Sequence, residues 1–558
     1  MRRASAAALA ALTVLAGGAA AAGGPAPAQP AAAARITVDD FSHGAAAWQR
    51  TGRPVLRTRR SGADYVLQLT ATSAPAGVTR ALPSGWTVGL DLRPDPGASV
   101  ELDLGRAGRL GLHAAGRRLV AGGTHRLHAT QAPGRWYRLE TATAGAAPTT
   151  LDGRRLATRR GTAAGRLAIR VTHGTVALRA LVAGPATDPG ALLVERLAWM
   201  HTRTPERRSP IGTGLDGRLR FSRSWTTGFW PGALWQAFDL TGSPMFERWA
   251  LRATRENFGR ERVDTHDVGF MYERSSVAAY DHLCTAAKRA PDCAALEHSA
   301  VTAASTLLRL AATNAAAATI PTRSKTLCAG CRSLAEADTI IDSVMNLPLL
   351  FWASDVTGDS RYRDVAARHV RNVARLMVRA DGSTWSSVHF RRNDGKVIRY
   401  HTHQGYRDDS AWARGQAWAV YGFSAAAAAL HDGSVLDAAQ RTARYVMKRL
   451  PEPAVPRYDY DAPASAPHDV SAGLITAAGL LRLAAACDAL AAACDPGPQA
   501  TRDYAHGLLA ASLADIHRRP PLGLVGHQVY GLGGLKHWDD DAELIFGLDY
   551  ALEALNGA

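Results

Sequence analysis

The chain has 558 residues, which is too long for one ordinary domain and indicates two or three. Its 65 Lys and Arg residues exceed its 49 Asp and Glu residues, so the formal net charge is +16 at pH 7. After the first 34 residues, no run is apolar over enough length to be expected to cross a membrane. We therefore predict no membrane span.

The first 34 residues have the pattern of a secretory signal peptide followed by a low-complexity spacer. Arg2 and Arg3 precede an apolar run over about 6–16, and small residues with a Pro/Ala tract continue to position 34. A charged start, a short apolar run and small residues after it are typical of export. The sequence predicts a secreted, extracellular protein.

Most of the positive charge lies in residues 35–187. This segment holds 22 Arg, no Lys and nine acidic residues, which is +13 of the total +16. A strongly basic surface attracts a polyanion such as nucleic acid, an acidic glycan or an anionic cell wall. The alternative is a solvated arginine surface from a genome rich in Ala, Gly and Arg codons. The charge alone leaves both open.

The same segment, 35–187, has the alternation of apolar and polar residues that is typical of β-strands. The alternation is clear at 65–69, 86–92, 100–104 and 136–141, and Gly and Pro separate these runs at short intervals. Such a pattern predicts a β-sandwich. The residues at 134–139, 151–153 and 165–171 resemble the end of laminin-G or concanavalin-like jelly rolls, which implies a carbohydrate-binding or spacer module.

Residues 188–558 change to a helical period and repeat one unit. Apolar helices closed by Gly242, Gly358 and Gly433 are each followed by an amphipathic helix, over 244–258, 360–378 and 434–450. A further unit lies within 469–517, and a last helix covers 540–556. About twelve helices in pairs form either an open solenoid or a closed toroid. Because the inner helices are apolar on all sides, we predict an all-α (α/α)6 barrel.

The central candidate for chemistry is Asp342. The stretch 339–352 is apolar almost all round, as in a helix buried on every side, and Thr339, Asp342 and Asn346 form one polar stripe on it. Burial raises the pKa of a carboxyl group, which suits an acid catalyst near neutral pH. The alternative is a structural Asp bound by its helix neighbours.

Three other motifs carry polar or aromatic side chains at helix starts. Residues 224–232 place aromatics on a Gly-rich loop, which suits either a sugar ring or the core. His266 and Asp267 are adjacent at the start of a helix, where Asp267 is either functional or an N-cap. Arg414 and Trp418 share one helix face, as a binding surface or as a core stack.

The six cysteines form three close pairs in the sequence. In an exported chain they indicate disulfides, although the sequence does not fix which cysteines pair. Local pairing would give Cys284–Cys293, Cys328–Cys331 and Cys487–Cys494. The Cys328–Cys331 spacing is also half of a zinc site. The sequence has no second such pair and no nearby pair of histidines, so we predict no metal.

Several ordered blocks together resemble one family. WTTGFWPG, HDVGFM, IIDSVMNLPLL and HQGYxDDSxWxRGQAW follow each other in that order, and FGLDYALEAL lies near the C-terminus. They resemble the unsaturated glucuronyl hydrolases, glycoside hydrolase family 88, over about 195–558. The resemblance implies an (α/α)6 barrel and an enzyme that releases 4,5-unsaturated uronic acid from oligosaccharides made by polysaccharide lyases. No cofactor is implied.

The resemblance also implies roles for individual residues. Asp342 would protonate C4 of the C4=C5 double bond and then take a proton from the water that attacks C5. Asp267 would be the second catalytic carboxylate, which holds the substrate or tunes the pKa of Asp342. The residues expected to bind the substrate are Trp230, His266, His389, His403, Gln404, Arg414 and Trp418. The basic front module would then favour an acidic polysaccharide over nucleic acid.

The sequence departs from the family pattern at two places. The loop at 328–331 replaces a platform aromatic, and 531–536 has glycines, with Lys536, where members that prefer sulfated substrates tend to have serines. Three alternatives stay open: an unsaturated rhamnogalacturonyl hydrolase, an inverting hydrolase or lyase with Asp267 and Asp342 as acid and base, and a non-catalytic protein that binds acidic glycans.

Overall fold

The structure of the chain is a computed structural model. It describes residues 36–514 and 542–557, apart from 62–63, 73, 83–85, 104–108, 116–117, 122–124, 127–135, 143–149, 152–153, 156–165, 186, 215–217 and 285–289. Residues Ile36–Ala558 form one compact unit. The predicted signal peptide and spacer, 1–34, and the glycine-rich segment 531–536 lie outside the described residues.

The first part of the compact unit is built from β-strands, as the alternation predicts. The strands are Thr37–Asp39 (β1), Gln49–Thr51 (β2), Val55–Ser61 (β3), Asp64–Ala71 (β4), Ala76–Ala81 (β5), Trp86–Pro94 (β6), Ser99–Asp103 (β7), Arg109–Ala115 (β8), Arg118–Ala121 (β9), His125–Arg126 (β10), Tyr137–Ala142 (β11), Thr150–Leu151 (β12), Arg154–Arg155 (β13) and Arg166–Pro185 (β14). Every described pairing among them is antiparallel.

The long strand β14 joins two groups of strands. Its first half pairs with β5 and β7, and its second half pairs with β4, β6 and β1. The change comes at Gly174, whose φ of +75° suits glycine, next to a register shift between Val171 and His173. Alternate residues such as Leu67, Leu69 and Leu90 point into one shared core. The β fold is therefore confirmed, and its likeness to a jelly roll stays a prediction.

The second part is helical. The helices are Pro189–Arg203 (α1), Phe229–Thr241 (α2), Pro244–Arg255 (α3), Val268–Tyr272 (α4), Ala278–Leu283 (α5), Cys293–Ala312 (α6), Leu347–Thr357 (α7), Ser360–Met377 (α8), Ala413–Leu430 (α9), Gly433–Arg449 (α10), Val470–Ala489 (α11), Pro498–Leu513 (α12) and Ile545–Leu555 (α13). Short strands lie between them: Ser209–Thr213 (β15), Leu219–Ser222 (β16), Glu336–Ile340 (β17), Ser387–Arg391 (β18), Val397–His401 (β19) and Glu543–Leu544 (β20).

The helices form a closed inner ring. Helix α2 packs beside α5, α4 beside α7, α7 beside α9, α9 beside α11 and α11 beside α13, and α13 packs back on α2. A π-helical segment, Glu273–Val277, joins α4 to α5. The amphipathic helices α3, α8, α10 and α12 each pack behind the inner helix that precedes them. The predicted helical barrel is confirmed.

Of the three glycines predicted to end a helix, two do so and the third does not. Gly242 and Gly358 end α2 and α7 in the left-handed region, with φ of +63° and +73°. Helix α9 instead ends at His431, whose φ is +52°. Gly433 is the first residue of α10, because Asp432 caps that helix by accepting from the backbone N–H groups of Ser434 and Val435.

Helix α11 corrects the expectation of no long apolar run. It is long and apolar enough to cross a membrane, with a mean hydropathy of 1.7. Yet 89% of its apolar window is buried inside the barrel. A core helix of the inner ring meets the same criteria, and burial on all sides accounts for its composition.

The stretch around Asp342 is not one helix, contrary to the prediction. Residues Glu336–Ile340 form strand β17, Ile341–Asn346 form a 3₁₀ turn, and α7 begins only at Leu347. Thr339 pairs with Val388 in β18, so tertiary strand pairing replaces the helical period. Pro348 lies in the first turn of α7, where proline is tolerated. Asp342 therefore lies where a strand leads into an inner helix.

An ion pair of a buried arginine and a tryptophan hydrogen bond join the β part to the helical part. Arg138 of β11 donates from Nε to Glu195 of α1 at 3.0 Å and from Nη1 to Asp91 of β6 at 3.2 Å. Trp249 of α3 donates to Asp64 of β4 at 2.7 Å. Part of the arginine excess therefore serves this interface. The change from β to α falls between β14 and α1, next to the predicted boundary at 187/188, and the division into independent domains stays a prediction.

All three predicted disulfides are present: Cys284–Cys293, Cys328–Cys331 and Cys487–Cys494. The first ties the end of α5 to the start of α6, and the third closes the turn after α11. The second lies in the loop before β17, close to the site described next.

Candidate active site

A cavity of about 710 Å³ opens where the N-terminal ends of the inner helices meet. Trp225 lies just before α2, Asp267 before α4, Asp342 before α7 and Arg414 in the first turn of α9. The full described lining is Trp225, Thr265, His266, Asp267, Thr322, Arg323, Ala329, Asp338, Ile340, Asp342, His401–Asp408, Trp412, Arg414 and Trp418. Helix N-termini carry partial positive charge, so this position favours an anionic ligand.

Asp342 has the properties of an acid catalyst. Its side chain is 15% exposed, and burial raises its pKa to about 7. The negative charges of Asp267 and Asp338 raise the pKa further, while His266 and Arg414 lower it. No described group hydrogen-bonds its buried Oδ1 atom. A carboxyl group with a pKa near 7 is protonated in half the molecules at neutral pH and can donate to a substrate.

His266 lies between the two predicted catalytic carboxylates. Its Nε2 atom is 3.2 Å from Oδ1 of Asp267 and 3.9 Å from Oδ1 of Asp342, and its Nδ1 atom is 3.3 Å from the amide nitrogen of Asn346. Asp267 does not cap α4; its Oδ2 accepts from Thr265 Oγ1 at 2.7 Å. The structural alternative for Asp267 is therefore wrong, and the side chain is directed toward the cavity instead.

Arg414 is anchored rather than free. Its Nη1 donates to Asp469 at 2.7 Å and its Nη2 to Gln404 Oε1 at 2.7 Å. The guanidinium lies over the rings of Trp412 and Phe546, at 4.9 and 5.6 Å. These bonds fix Arg414 beside Asp342 and orient the amide group of Gln404 on the cavity wall.

Histidines form another part of the wall. The His401 Nδ1 atom lies 2.8 Å from Asp408, and the ring of His401 meets that of His403 edge to face at 4.7 Å. Burial lowers the pKa of His403 to about 4, so the ring is neutral at pH 7. Its buried Nε2 has no described hydrogen-bond partner, which leaves it available for a ligand.

Two predicted binding residues are not part of the described cavity lining. Trp230 is 3% exposed and lies in the second position of α2, where its ring turns outward to a separate polar pocket beside Asp64 and Trp249. His389 is fully buried in β18, and Arg399 Nη2 lies 3.1 Å from its Nδ1 atom. The other predicted residues, Asp267, Asp342, His266, His403, Gln404, Arg414 and Trp418, all line the cavity.

The structure adds residues that the sequence did not single out. Trp225 supplies the aromatic wall that was assigned to Trp230, because it precedes α2 in a 3₁₀ turn that faces the cavity. Asp338 and Arg323 also line the wall, and Tyr406 is 45% exposed at its edge. The block that contains Trp225 was visible in the sequence. Asp338 and Arg323 depend on strand β17 and had no sequence signal.

Possible metal ligands cluster around His389. Cys328, Cys331 and His389 form one group, and Asp338, His389 and His403 form another. The two cysteines are bonded to each other, and a disulfide offers no thiolate. Because Arg399 donates to Nδ1 of His389, the neutral ring carries its proton on Nε2, where it cannot bind a cation. The prediction of no metal stays a prediction, and these bonds argue for it.

Comparison with known proteins identifies the family. An unsaturated glucuronyl hydrolase of Bacillus sp. (strain GL1) is 37% identical over 278 residues, which is 48% of this chain and 70% of that protein. An unsaturated chondroitin disaccharide hydrolase of Streptococcus pyogenes serotype M1 is 30% identical over 345 residues, 59% of this chain and 80% of that protein. The chain belongs to the unsaturated glucuronyl hydrolase family.

Solved structures agree with this assignment to the unsaturated glucuronyl hydrolases. The Bacillus sp. GL1 enzyme, described as responsible for the degradation of glycosaminoglycan, has a TM-score of 0.57, 31% identity and coverage of 66% of this chain and 94% of that one. An unsaturated glucuronyl hydrolase specific for heparin has a TM-score of 0.58, 27% identity and coverage of 66% and 95%. No family model matches the chain. Roughly a third of this chain therefore has no counterpart in these relatives.

Proposed function

We propose that the cavity hydrates the C4=C5 double bond of a 4,5-unsaturated uronic acid at the non-reducing end of an oligosaccharide. The chain is a glycoside hydrolase that acts on unsaturated uronate oligosaccharides, as its family membership shows. The observation that carries the finer proposal is Asp342: a largely buried carboxyl group with a pKa of about 7 and an unbonded oxygen in the cavity.

The reaction needs one group that first gives a proton and then takes one. Protonated Asp342 donates to C4, which leaves positive charge at C5 and on the ring oxygen. The Asp342 carboxylate then accepts a proton from the water that attacks C5. The resulting hemiketal opens and releases the neighbouring sugar, so one water is consumed and Asp342 is regenerated.

The neighbours of Asp342 support both halves of this cycle. Asp267 raises the pKa of Asp342 and so favours the protonated form that starts the reaction. His266 and Arg414 offset this effect and stabilise the carboxylate that forms after C4 is protonated. The balance places the pKa near the pH at which both forms are accessible.

The test follows the conjugated enoate by its ultraviolet absorbance. Adding a lyase-made unsaturated disaccharide to the wild-type protein should make the absorbance fall, because hydration removes the double bond. Asp342→Asn should abolish the fall while still binding the disaccharide in calorimetry. A rise in absorbance would indicate a lyase. Unchanged absorbance with retained binding of the disaccharide would indicate a carbohydrate-binding protein without this activity. Turnover by Asp342→Asn at the wild-type rate would refute the assignment. Pectin-derived disaccharides as a second substrate set test the rhamnogalacturonyl alternative.

We also propose that the protein is exported and that its β part binds an acidic polysaccharide. The N-terminal pattern supports export. Exposed arginines on strands β2 and β3, which follow each other in the chain, support polyanion binding: Arg50, Arg57, Arg59 and Arg60. Arg57 and Arg59 share one face of β3, two residues apart, so their charges are displayed together.

Retention on a sulfated-polysaccharide column tests this binding. Arg57→Gln with Arg59→Gln should elute at clearly lower salt than wild type, with unchanged disaccharide turnover. Arg368→Gln with Arg375→Gln, an equal charge loss on exposed positions of α8, is the matched control. Equal shifts in both double variants would mean that net charge alone retains the protein.

A further inference from the structure

Three guanidinium groups lie on the described cavity wall, and two of them already have carboxylate partners. Arg414 is bound to Asp469, and Arg407 Nε lies 2.6 Å from Asp409 Oδ1. Arg323 is exposed on the wall and forms no ion pair with any carboxylate of the described residues. Its guanidinium is therefore the described arginine of the cavity whose charge is least neutralised by the protein.

The backbone that carries Arg323 is fixed from both sides. Asp264 accepts from the backbone N–H groups of Ser324 at 3.0 Å and Lys325 at 2.6 Å, and from the Ser324 hydroxyl at 2.6 Å. Arg392 donates to the carbonyl of Arg323 at 2.9 Å. A turn tied by this many bonds fixes the backbone position from which the Arg323 side chain reaches the wall, which lowers the part of the entropy cost of binding that comes from ordering the loop.

The backbone before Arg323 joins the same turn to the catalytic region. The carbonyl of Thr322 accepts from the His266 N–H at 3.0 Å, and the Thr322 N–H donates to the Asp338 carbonyl at 3.0 Å. Asp338 is buried and hydrogen-bonded to the Thr322 hydroxyl, and burial raises its pKa. The charge of Arg323 acts to lower the pKa of Asp338, but the two side chains form no described ion pair, so the guanidinium stays available to a ligand.

We propose that Arg323 forms an anion subsite at the mouth of the cavity, which binds a sulfate ester or carboxylate on the sugar that leaves. This inference rests on the proposed hydration at Asp342. Asp342 is largely buried whereas Arg323 is exposed, so Arg323 meets a part of the substrate farther from the double bond. A guanidinium matches the planar pairs of oxygens of sulfate and carboxylate in a bidentate geometry.

The experiment compares three substrates in wild type and Arg323→Gln. They are an unsaturated disaccharide with an unsulfated hexosamine, the same disaccharide with a sulfated hexosamine, and an unsaturated oligosaccharide whose second sugar is a uronate. We expect Arg323→Gln to lower kcat/KM for at least one of the two anionic substrates about 10-fold or more, mainly through KM, since a charged hydrogen bond is lost. The unsulfated disaccharide should change by less than about 2-fold.

The anionic substrate whose kcat/KM falls more shows whether the subsite binds the sulfate ester or the carboxylate. Lys325→Gln removes the same charge two residues away, at an exposed position outside the described cavity lining, and should leave all three substrates unchanged. Arg323→Lys should recover part of the lost kcat/KM, because lysine restores the positive charge but lacks the planar, bidentate guanidinium. Equal loss on all substrates, no loss on either anionic one, or the same loss in Lys325→Gln would overturn the subsite. Absence of turnover by wild type on every substrate would instead overturn the proposed hydration and the subsite with it.

Discussion

Two buried carboxyl groups of the barrel, Asp342 and Asp549, have raised pKa values but different surroundings. The pKa of Asp342 is raised to about 7 and that of Asp549 to about 8, in both cases chiefly by burial. Asp342 lies in the wall of the cavity. Asp549 lies in α13, fully buried, with Arg274 Nη1 at 3.3 Å and no place in the described cavity lining.

The comparison separates a raised pKa from a catalytic role. Asp549 belongs to a core cluster in which Arg274 and Arg482 bind Glu553, whose pKa falls to about 2. A Cβ on Gly232 would come within 2.7 Å of an Asp549 oxygen, so no substrate can approach from that side. Proton donation requires both a suitable pKa and access to the substrate, and of these two carboxyl groups Asp342 is the one that combines them.

The largest expected difference is catalytic. Asp342→Asn should lower kcat by about 10³-fold or more, because general acid–base catalysis contributes about 10²–10⁴-fold and here one group acts twice. Asp549→Asn should keep kcat within about 3-fold, since it has no contact with substrate. Initial rates of enoate loss measure both. A loss in Asp549→Asn comparable to that in Asp342→Asn would break the distinction between the two carboxyls.

The core cluster should show its role in stability instead. Glu553→Gln leaves Arg274 and Arg482 without their shared counter-charge, and breaking a buried pair costs about 3–5 kcal/mol. Asp355→Asn, which removes an exposed partner of Arg363, should cost less than about 1 kcal/mol. Urea unfolding measures both. A Glu553→Gln protein as stable as wild type would show that the cluster does not stabilise the barrel.

The two tryptophans at the start of α2 offer a smaller contrast of the same kind. Trp225→Ala should raise KM about 10-fold with little change in kcat, because it removes an aromatic wall that binds ground state and transition state alike. Trp230→Ala should lower the free energy of unfolding by about 3–5 kcal/mol and leave KM unchanged. The reverse pattern would restore Trp230 as the sugar platform.

The smallest expected difference is a shift of the pH profile of kcat/KM between variants. Because Asp342 must be protonated to start the reaction, kcat/KM should fall tenfold per unit above about pH 7. His266→Gln removes a charge that lowers the Asp342 pKa, so the alkaline limb should move to higher pH. Asp267→Asn removes a charge that raises it, so the limb should move to lower pH. Profiles of kcat/KM against pH measure both, and shifts in the same direction would contradict this arrangement.

Much of the architecture could be predicted from periodicity. The alternation of apolar and polar residues predicted strands β4, β6, β7 and β11. The helical period and its glycines predicted helices α2, α3, α7, α8 and α10. The errors came where long-range contacts overrode local pattern. Pairing of β17 with β18 replaced the expected helix at Asp342, and an aspartate cap moved Gly433 from the end of one helix to the start of the next.

The sequence motifs predicted several residues that line the cavity, such as Asp267, Asp342 and Arg414. These residues lie at or just before the starts of inner helices, where the ordered motifs place them. Trp230 and His389 were also predicted to bind substrate but are not part of the described lining, because sequence does not tell which way a side chain turns from a helix or strand. Their functional roles, and that of Asp342, stay proposals until the variants are measured.

The sequence by itself determined the order of the two parts, the repeat of helix pairs and the family blocks, because these depend on local period and residue type. The pairing of the six cysteines was decided by the structure. The tertiary structure alone decided the surroundings of Asp342. Closing the ring brings His266, Asp267, Asp338 and Arg414 around it from separate segments, and burial among them sets its pKa. A pKa depends on distances between residues far apart in the chain, and only the fold fixes those distances.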